Sequence, residues 1–184
     1  FMQEAVPLGT GGMAALLGLT ADQVDELCAR AARETGLHVE GANYNCPGQI
    51  VVAGHTGAVE RCMELAAEAG GRAVKLSVTA PFHSRLLAPA GERLAEALQG
   101  VSLREAQVPV VSNVTADYVT RPDEIRRLLI EQVSRPVLWE ASIRRMIADG
   151  VDTFVEVGPS RTLSGFLRKI DKGVRALQVE DPAS

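Results

Sequence analysis

The sequence predicts an α/β protein built in two unequal parts. Three observations carry that expectation. Residues 12–78 alternate short apolar runs with two capped amphipathic stretches, in the order β-α-β-β-α-β. From Val108 onward, strand-like and helix-like runs alternate, the pattern of a parallel sheet. Between the two lies Val78-Thr79-Ala80-Pro81-Phe82-His83-Ser84, where a strand ends on a proline turn and a histidine precedes a new helix. Such junctions are where α/β folds place ligand-handling groups.

In order, Met13 to Leu19 is a short apolar run bounded by glycines, the pattern of a buried strand. Thr20 offers an N-cap with Gln23 as its capping-box partner. Val24, Leu27, Cys28, Ala31 and Ala32 then follow at helical spacing up to a stop at Gly36. Leu37 to Ala42 reads as a strand, Asn43 to Gly48 as a turn cluster and Gln49 to Ala53 as the returning strand. His55-Thr56-Gly57 leads into a second helix with Val59, Cys62, Met63, Ala66 and Ala67 on one face, ending at Gly70-Gly71. Arg72 to Val78 alternates Ala73, Lys75 and Ser77 against Val74, Leu76 and Val78, which predicts a strand with one wet face. Four strands and two helices in that order make a split βαβ, ferredoxin-like unit.

Leu86, Leu87, Leu94, Ala97 and Leu98 then predict a helix broken near Pro89. Val108 to Val114 is nearly continuous and β-branched, as in a parallel strand covered on both faces. Pro122 at a first helical position, with Asp123 and Glu124 in the first turn, starts a helix running to about Val133. Pro136 forces a break, and Trp139 to Ala148 is a further helix. A strand over Thr153–Val157, a tight loop at Gly158-Pro159-Ser160, a helix over Arg161–Ile170 and a last strand over Val174–Val179 complete the chain.

Composition narrows the function classes. A chain of 184 residues has room for a real core, and 46% apolar with 23% charged residues is ordinary for a globular protein. No apolar run approaches the ~20 residues of a membrane span. A net charge of −4 gives no electrostatic case for a nucleic-acid partner. Cys28, Cys46 and Cys62 show no metal-ligand spacing and read as free thiols in a reducing compartment, hence a cytoplasmic protein. Phe1-Met2-Gln3 has neither the charge nor the apolar stretch of a signal peptide, and Met2 follows Phe1, so the expectation is a chain that begins inside a longer protein.

Chemistry is sparse in the residues themselves. The three histidines stand apart, without HxxxH, HExxH or CxxC spacing, so no metal site is expected. Gly9-Thr10-Gly11-Gly12 lacks the Lys-Ser/Thr ending of a phosphate loop. Gly158-Pro159-Ser160-Arg161 precedes a helix whose amides could meet an anion, though a plain strand-to-helix turn accounts for it as well. Cys46 could pair with a histidine, but a structural cysteine is the plainer account. No G-x-S-x-G elbow occurs. What remains is a candidate base, His83, with no activated nucleophile beside it.

Five strings occur together in a fixed order: Phe1 to Pro7, Asn43 to Gln49, Ala80 to Ser84, Pro136 to Trp139 and Glu156 to Ser160. In this order they resemble the malonyl-CoA:acyl carrier protein transacylases, over a stretch from the first residue to about Ile170. The resemblance implies a large α/β-hydrolase-like subdomain interrupted by the ferredoxin-like one. Residues 1–11 would then end a large-subdomain segment, 12–78 form the small subdomain and 79–184 continue the large one. It also implies transfer of malonyl from coenzyme A to the phosphopantetheine thiol of acyl carrier protein through an acyl-serine, in fatty acid biosynthesis. Coenzyme A would enter as a thioester substrate and no resident cofactor would be needed.

In that scheme His83 activates the serine and protonates the departing thiol. Gln132 matches the residue whose main-chain carbonyl holds the histidine ring, fixing its tautomer without a buried charge. Phe82 matches a position associated with the choice of acyl unit, where a bulky ring would crowd an α-methyl group; a plain core phenylalanine is the competing account. Asn45, Gln49 and Arg72 match positions lining the small-subdomain side of the cleft. Arg72 could meet coenzyme A phosphates or an acidic carrier protein, or be a solvated strand-edge arginine. The family's nucleophile, its malonyl-gripping arginine and its oxyanion-hole loop would all lie upstream of Phe1. The chain is therefore expected to be a C-terminal portion that needs the N-terminal part of the same enzyme. A non-catalytic carrier-protein-docking module and a piece of a polyketide synthase acyltransferase domain are the alternatives.

Overall fold

The computed structural model describes residues 10–78 and 80–181. The Phe1–Pro7 string and most of the expected 1–11 segment lie outside them, as do Gly9 and Thr79. The first layer is a four-stranded antiparallel sheet of β1 (Gly11–Leu17), β2 (Val39–Cys46), β3 (Gln49–His55) and β4 (Arg72–Lys75), in the order β2-β3-β1-β4. The crossovers are α1 (Ala21–Thr35) and α2 (Thr56–Glu68). Both helices cover one face of the sheet. Val24, Cys28 and Ala31 from α1 and Val59, Cys62 and Leu65 from α2 bury against Ala14, Leu16, Ile50 and Val52. Small residues at the helix contact bring Cys28 and Cys62 Sγ to 3.8 Å; the bond to Cys62 and burial together push the Cys28 thiol well up.

Helix α1 is the most completely specified element. The Thr20 hydroxyl accepts from Gln23 N at 3.3 Å, the Gln23 side chain accepts from Thr20 N at 2.9 Å, and Gly36 closes the helix at φ 67. Thr20→Ala is expected to cost ~1 kcal/mol, read as a lowered denaturant midpoint at constant slope.

Four expectations need correction in detail. Strand β2 continues through Asn43-Tyr44-Asn45-Cys46, where a turn was expected, and only Pro47-Gly48 turns. The reason is tertiary. Tyr44 N donates to Val137 O and Val137 N to Ala42 O, so the outer edge of β2 is paired by a segment nearly a hundred residues away. Strand β4 stops at Lys75, and the alternation that should have buried Val74 instead leaves it 43% exposed, while Ala73 faces the helices. Pro89 does not break a helix. It lies in the first turn of α3 (Ala88–Gln99), which follows a 3-10 turn over Arg85–Leu87, because a first-turn residue needs no intrahelical donor.

The last correction concerns Val108 to Val114. Only Val110–Val111 (β5) is a strand, and it pairs antiparallel with Tyr118–Val119 (β6), leaving Val108 69% exposed. β-branched residues favour extended backbone, but a covered parallel strand also needs strands on either side, and none of the described residues supplies them.

Helices α4 (Pro122–Gln132) and α5 (Trp139–Ala148), strand β7 (Thr153–Val157), helix α6 (Thr162–Ile170) and strand β8 (Arg175–Val179) follow the expected order. Strands β7 and β8 pair in parallel, the βαβ unit that the alternation predicts. Ile143, Leu167, Ile170, Trp139 and Phe154 pack around Cys46 at the end of β2, joining this unit to the first sheet. Its other face stays open: Val155, Val157, Leu177 and Val179 are all exposed. Among the described residues no helix is long and apolar enough to cross a membrane.

Candidate functional site

The site grows from the chain that leaves β4. Leu76 N still bonds Met13 O, so the chain stays beside β1 past the end of the strand and heads toward Gly11. There the fully buried Pro81 ring lies against Gly11, so closely that a Cβ on Gly11 would fall 2.4 Å from Pro81 Cδ. Pro81 fixes the entry angle through its locked φ. The Ser84 hydroxyl, wholly buried, donates to Pro81 O at 2.8 Å and closes the turn. Between these anchors His83 adopts φ 58, the left-handed region that a non-glycine residue occupies only when its surroundings hold it there.

The His83 ring is oriented from α4. Nδ1 lies 2.9 Å from Gln132 O. A carbonyl oxygen can only accept, so in the neutral ring Nδ1 carries the proton and Nε2 keeps its lone pair. The half-buried ring therefore presents a basic nitrogen on its far side. Gln132 is itself fixed: Asn113 Nδ2 donates to Gln132 Oε1 at 3.0 Å, and Leu138 N donates to Asn113 O at 2.9 Å. Asn113 is the residue that sequence reasoning missed. In the sequence it is one position of a β-branched run, and nothing in its spacing signals a contact to Gln132. A hollow of about 240 Å³ between β5, β6 and α4 reaches these two side chains.

Phe82 fills the gap between two groups of core residues. On one side it meets Met13, Ala42, Val51 and Ala53 on the helix-free face of the sheet. On the other it meets Leu87 from the 3-10 turn, Ala90 from α3 and Val133 just past the end of α4. It is both a packing residue and the immediate neighbour of His83.

Asn45, Gln49 and Arg72 are not brought to His83. Arg72 and Gln49 both pair with Leu17 across the sheet, and Asn45 sits in a bulge of β2 beside the same hairpin. Leu17 stands six residues along β1 from Gly11, about 20 Å at the rise of a strand. Gln49 Oε1 accepts from Lys169 Nζ at 3.1 Å, which ties the hairpin to α6. Arg72 is exposed.

Other candidates resolve as structure. His55 precedes α2, and its Nδ1 accepts from His38 N at 3.0 Å. Cys46 is buried, which pushes its thiol up and away from nucleophile duty. The amides after Gly158-Pro159-Ser160 meet an anion of the chain itself: Glu156 accepts from Leu163 N at 3.1 Å and Ser164 N at 2.8 Å. Ser164 and these amides hold its carboxyl below the usual range. Among the described residues no His, Cys, Asp or Glu side chains gather into a metal-binding group.

An α/β fold carrying a histidine whose proton is fixed by a main-chain carbonyl is suited to acyl transfer, and the chain belongs to the acyl transferase domain family, matched over residues 1–181. Within that family it is similar to malonyl CoA-acyl carrier protein transacylases. It is 46% identical over 183 residues to that of Bacillus subtilis strain 168, covering 99% of this chain and 57% of the relative. An acyl-carrier-protein S-malonyltransferase structure from Burkholderia pseudomallei 1710b superposes with a TM-score of 0.96 at 41% identity, over 99% of this chain and 59% of that one. A malonyl-transacylase in complex with a type II polyketide synthase acyl-carrier protein gives a TM-score of 0.95 at 38% identity, again over 99% and 59%. The chain thus spans less than two thirds of these relatives' length.

Proposed function

We propose that this chain is the histidine-bearing, C-terminal portion of a malonyl-CoA:acyl carrier protein transacylase acting in fatty acid biosynthesis. The observation that carries the reading is the His83 Nδ1–Gln132 O hydrogen bond at a left-handed turn. With Nδ1 occupied, Nε2 takes the proton of a serine hydroxyl as it attacks the malonyl thioester. The imidazolium then gives that proton to the departing coenzyme A thiolate, and the malonyl group rests on the serine as an ester. The phosphopantetheine thiol of acyl carrier protein repeats the cycle in reverse, with His83 again as base and then acid. The carbonyl of Gln132 steadies the imidazolium without the desolvation cost of a buried carboxylate.

In this reading the β2-β3-β1-β4 layer is a ferredoxin-like small subdomain over residues 12–78, inserted into an α/β-hydrolase-like large one that resumes over 79–184. The exposed valines of β5, β7 and β8 are where the remaining strands of the large sheet add, since an uncovered apolar sheet face and edge seek partners. Phe82 favours malonyl by crowding an α-methyl substituent. Arg72, Asn45 and Gln49, at the far end of the small sheet, serve the coenzyme A or carrier-protein side of the cleft. This reading requires no metal or resident cofactor and takes the protein to act in the cytoplasm.

The test joins this chain to the upstream part of the Bacillus subtilis relative and follows malonyl transfer from coenzyme A to holo acyl carrier protein. The joined protein is expected to transfer malonyl, and the chain alone to show nothing above background. Transfer by the chain alone would overturn the assignment of the nucleophile to the upstream part. A joined protein that binds carrier protein and transfers nothing would mark the chain as a docking module.

A further inference from the structure

The turn that carries His83 is strained, and its anchors upstream of the histidine do not by themselves fix it. A left-handed backbone is costly for a non-glycine residue and persists only where the surroundings over-determine it. Pro81 on Gly11 and the Ser84–Pro81 bond hold the entry. The exit is held from another part of the fold. Arg85 N, the first amide of the 3-10 turn and two residues past His83, donates to Glu40 Oε1 at 2.7 Å. Glu40 comes from β2, 45 residues away, where its backbone is paired with Ala53 of the neighbouring strand.

We propose that Glu40 is a positioning residue for His83: its carboxylate clamps the Arg85 amide and so fixes the direction in which the histidine leaves the backbone. The bond is charge-assisted, short and directed at a backbone donor that the 3-10 turn itself cannot satisfy. Two other groups meet the same carboxylate. His38 Nε2 lies 2.8 Å from Oε1, in ion-pair reach but out of line for a hydrogen bond, and the Arg85 guanidinium lies 3.6 Å from Oε2. The Arg85 guanidinium is 72% exposed, so its attraction is weakened by solvent, and the His38 contact lacks hydrogen-bond alignment. The backbone bond is the contact that bears on geometry. His83 is thus held at two points: Gln132 fixes the ring's proton and Glu40 fixes the backbone from which the ring hangs. Losing the second lets the ring swing off the Gln132 carbonyl even though that carbonyl is unchanged.

The proposal rests on the reading of His83 as the base, yet its readout is the ring's proton, not transfer, so the two fail separately. In the chain labelled with ¹⁵N-histidine, long-range proton–nitrogen spectra are expected to show His83 as the Nδ1-protonated tautomer. Glu40→Ala is expected to lose that signature. Glu40→Gln keeps an oxygen acceptor for the Arg85 amide and should retain it. Arg85→Ala removes the guanidinium but leaves the amide, and should retain it too. A Glu40→Ala chain that keeps the Nδ1-protonated signature overturns the proposal, as does an Arg85→Ala chain that loses it. A measurement on the unaltered chain guards against a variant that fails to fold: the Arg85 amide is expected to be protected from hydrogen exchange. An Arg85 amide that exchanges as freely as a solvent-facing one would overturn the clamp.

Discussion

On the proposed transacylase reading, replacing His83 in the assembled enzyme is expected to lower malonyl transfer by about 10²–10⁴-fold, the range for removing a general acid–base group, which corresponds to about 3–5 kcal/mol of barrier. The loss should fall on kcat, with KM little changed, because Nε2 acts on protons in flight and not on the resting thioester. The choice of substitute matters. His83 sits at φ 58, and alanine in that region is strained, whereas asparagine is among the residues that tolerate it. His83→Asn is therefore the cleaner variant, since it keeps the turn and removes the base. Both variants should be slow, with His83→Asn the more stable of the two by denaturant titration. Formation of the acyl-serine should slow as much as the second half of the cycle, because the same nitrogen serves both. Transfer within tenfold of the unaltered enzyme would show that another group supplies the base.

Where a signal is local, the sequence shows the structure directly. The Thr20–Gln23 capping box, the Pro122 start of α4 and the Trp139–Ala148 span of α5 fall where cap chemistry and helical spacing put them. The misjudged places are those where distant backbone decides. Asn43 to Cys46 carries turn-forming residues, yet two hydrogen bonds to Val137 hold Tyr44 and Ala42 in a strand. Val108 to Val114 has the composition of a covered parallel strand, yet only an antiparallel partner at Tyr118–Val119 is present among the described residues.

The site divides in the same way. The His83 junction stands out by its place between a strand and a helix, but the Gln132 contact uses a main-chain carbonyl, which every residue type possesses. Only the resemblance pointed to that position. Asn113 and Glu40 act on the site through hydrogen bonds that span 19 and 45 residues of chain, and no periodicity encodes such pairs. Arg72, Asn45 and Gln49 show the reverse. The resemblance groups them with the cleft, while the strand register sets Arg72 and Gln49 six β1 residues away from the Pro81 contact.

Gly11→Ala is expected to reach His83 without touching it. The added methyl would lie 2.4 Å from Pro81 Cδ, 2.8 Å from Cγ and 3.2 Å from Pro81 N. Restoring an ordinary carbon contact of ~3.5–4.0 Å requires a shift on the order of 1 Å. The ring cannot rotate away, since its φ is locked and it is wholly buried. The displacement must pass into the backbone that carries His83 two residues on. A misplacement of that size costs about 10²-fold in rate, and the crowding about 1–3 kcal/mol in stability. The neighbouring glycine is the control. Among the described residues a methyl on Gly12 would meet nothing nearer than Thr56 Oγ1 at 3.8 Å, an ordinary contact. Gly12→Ala should therefore transfer malonyl at nearly the unaltered rate and unfold at nearly the same denaturant concentration. If the two variants proved equally active, the Pro81–Gly11 contact would be packing alone. A slow Gly11→Ala beside an active Gly12→Ala would instead make the first strand of the small sheet a determinant of where the base sits.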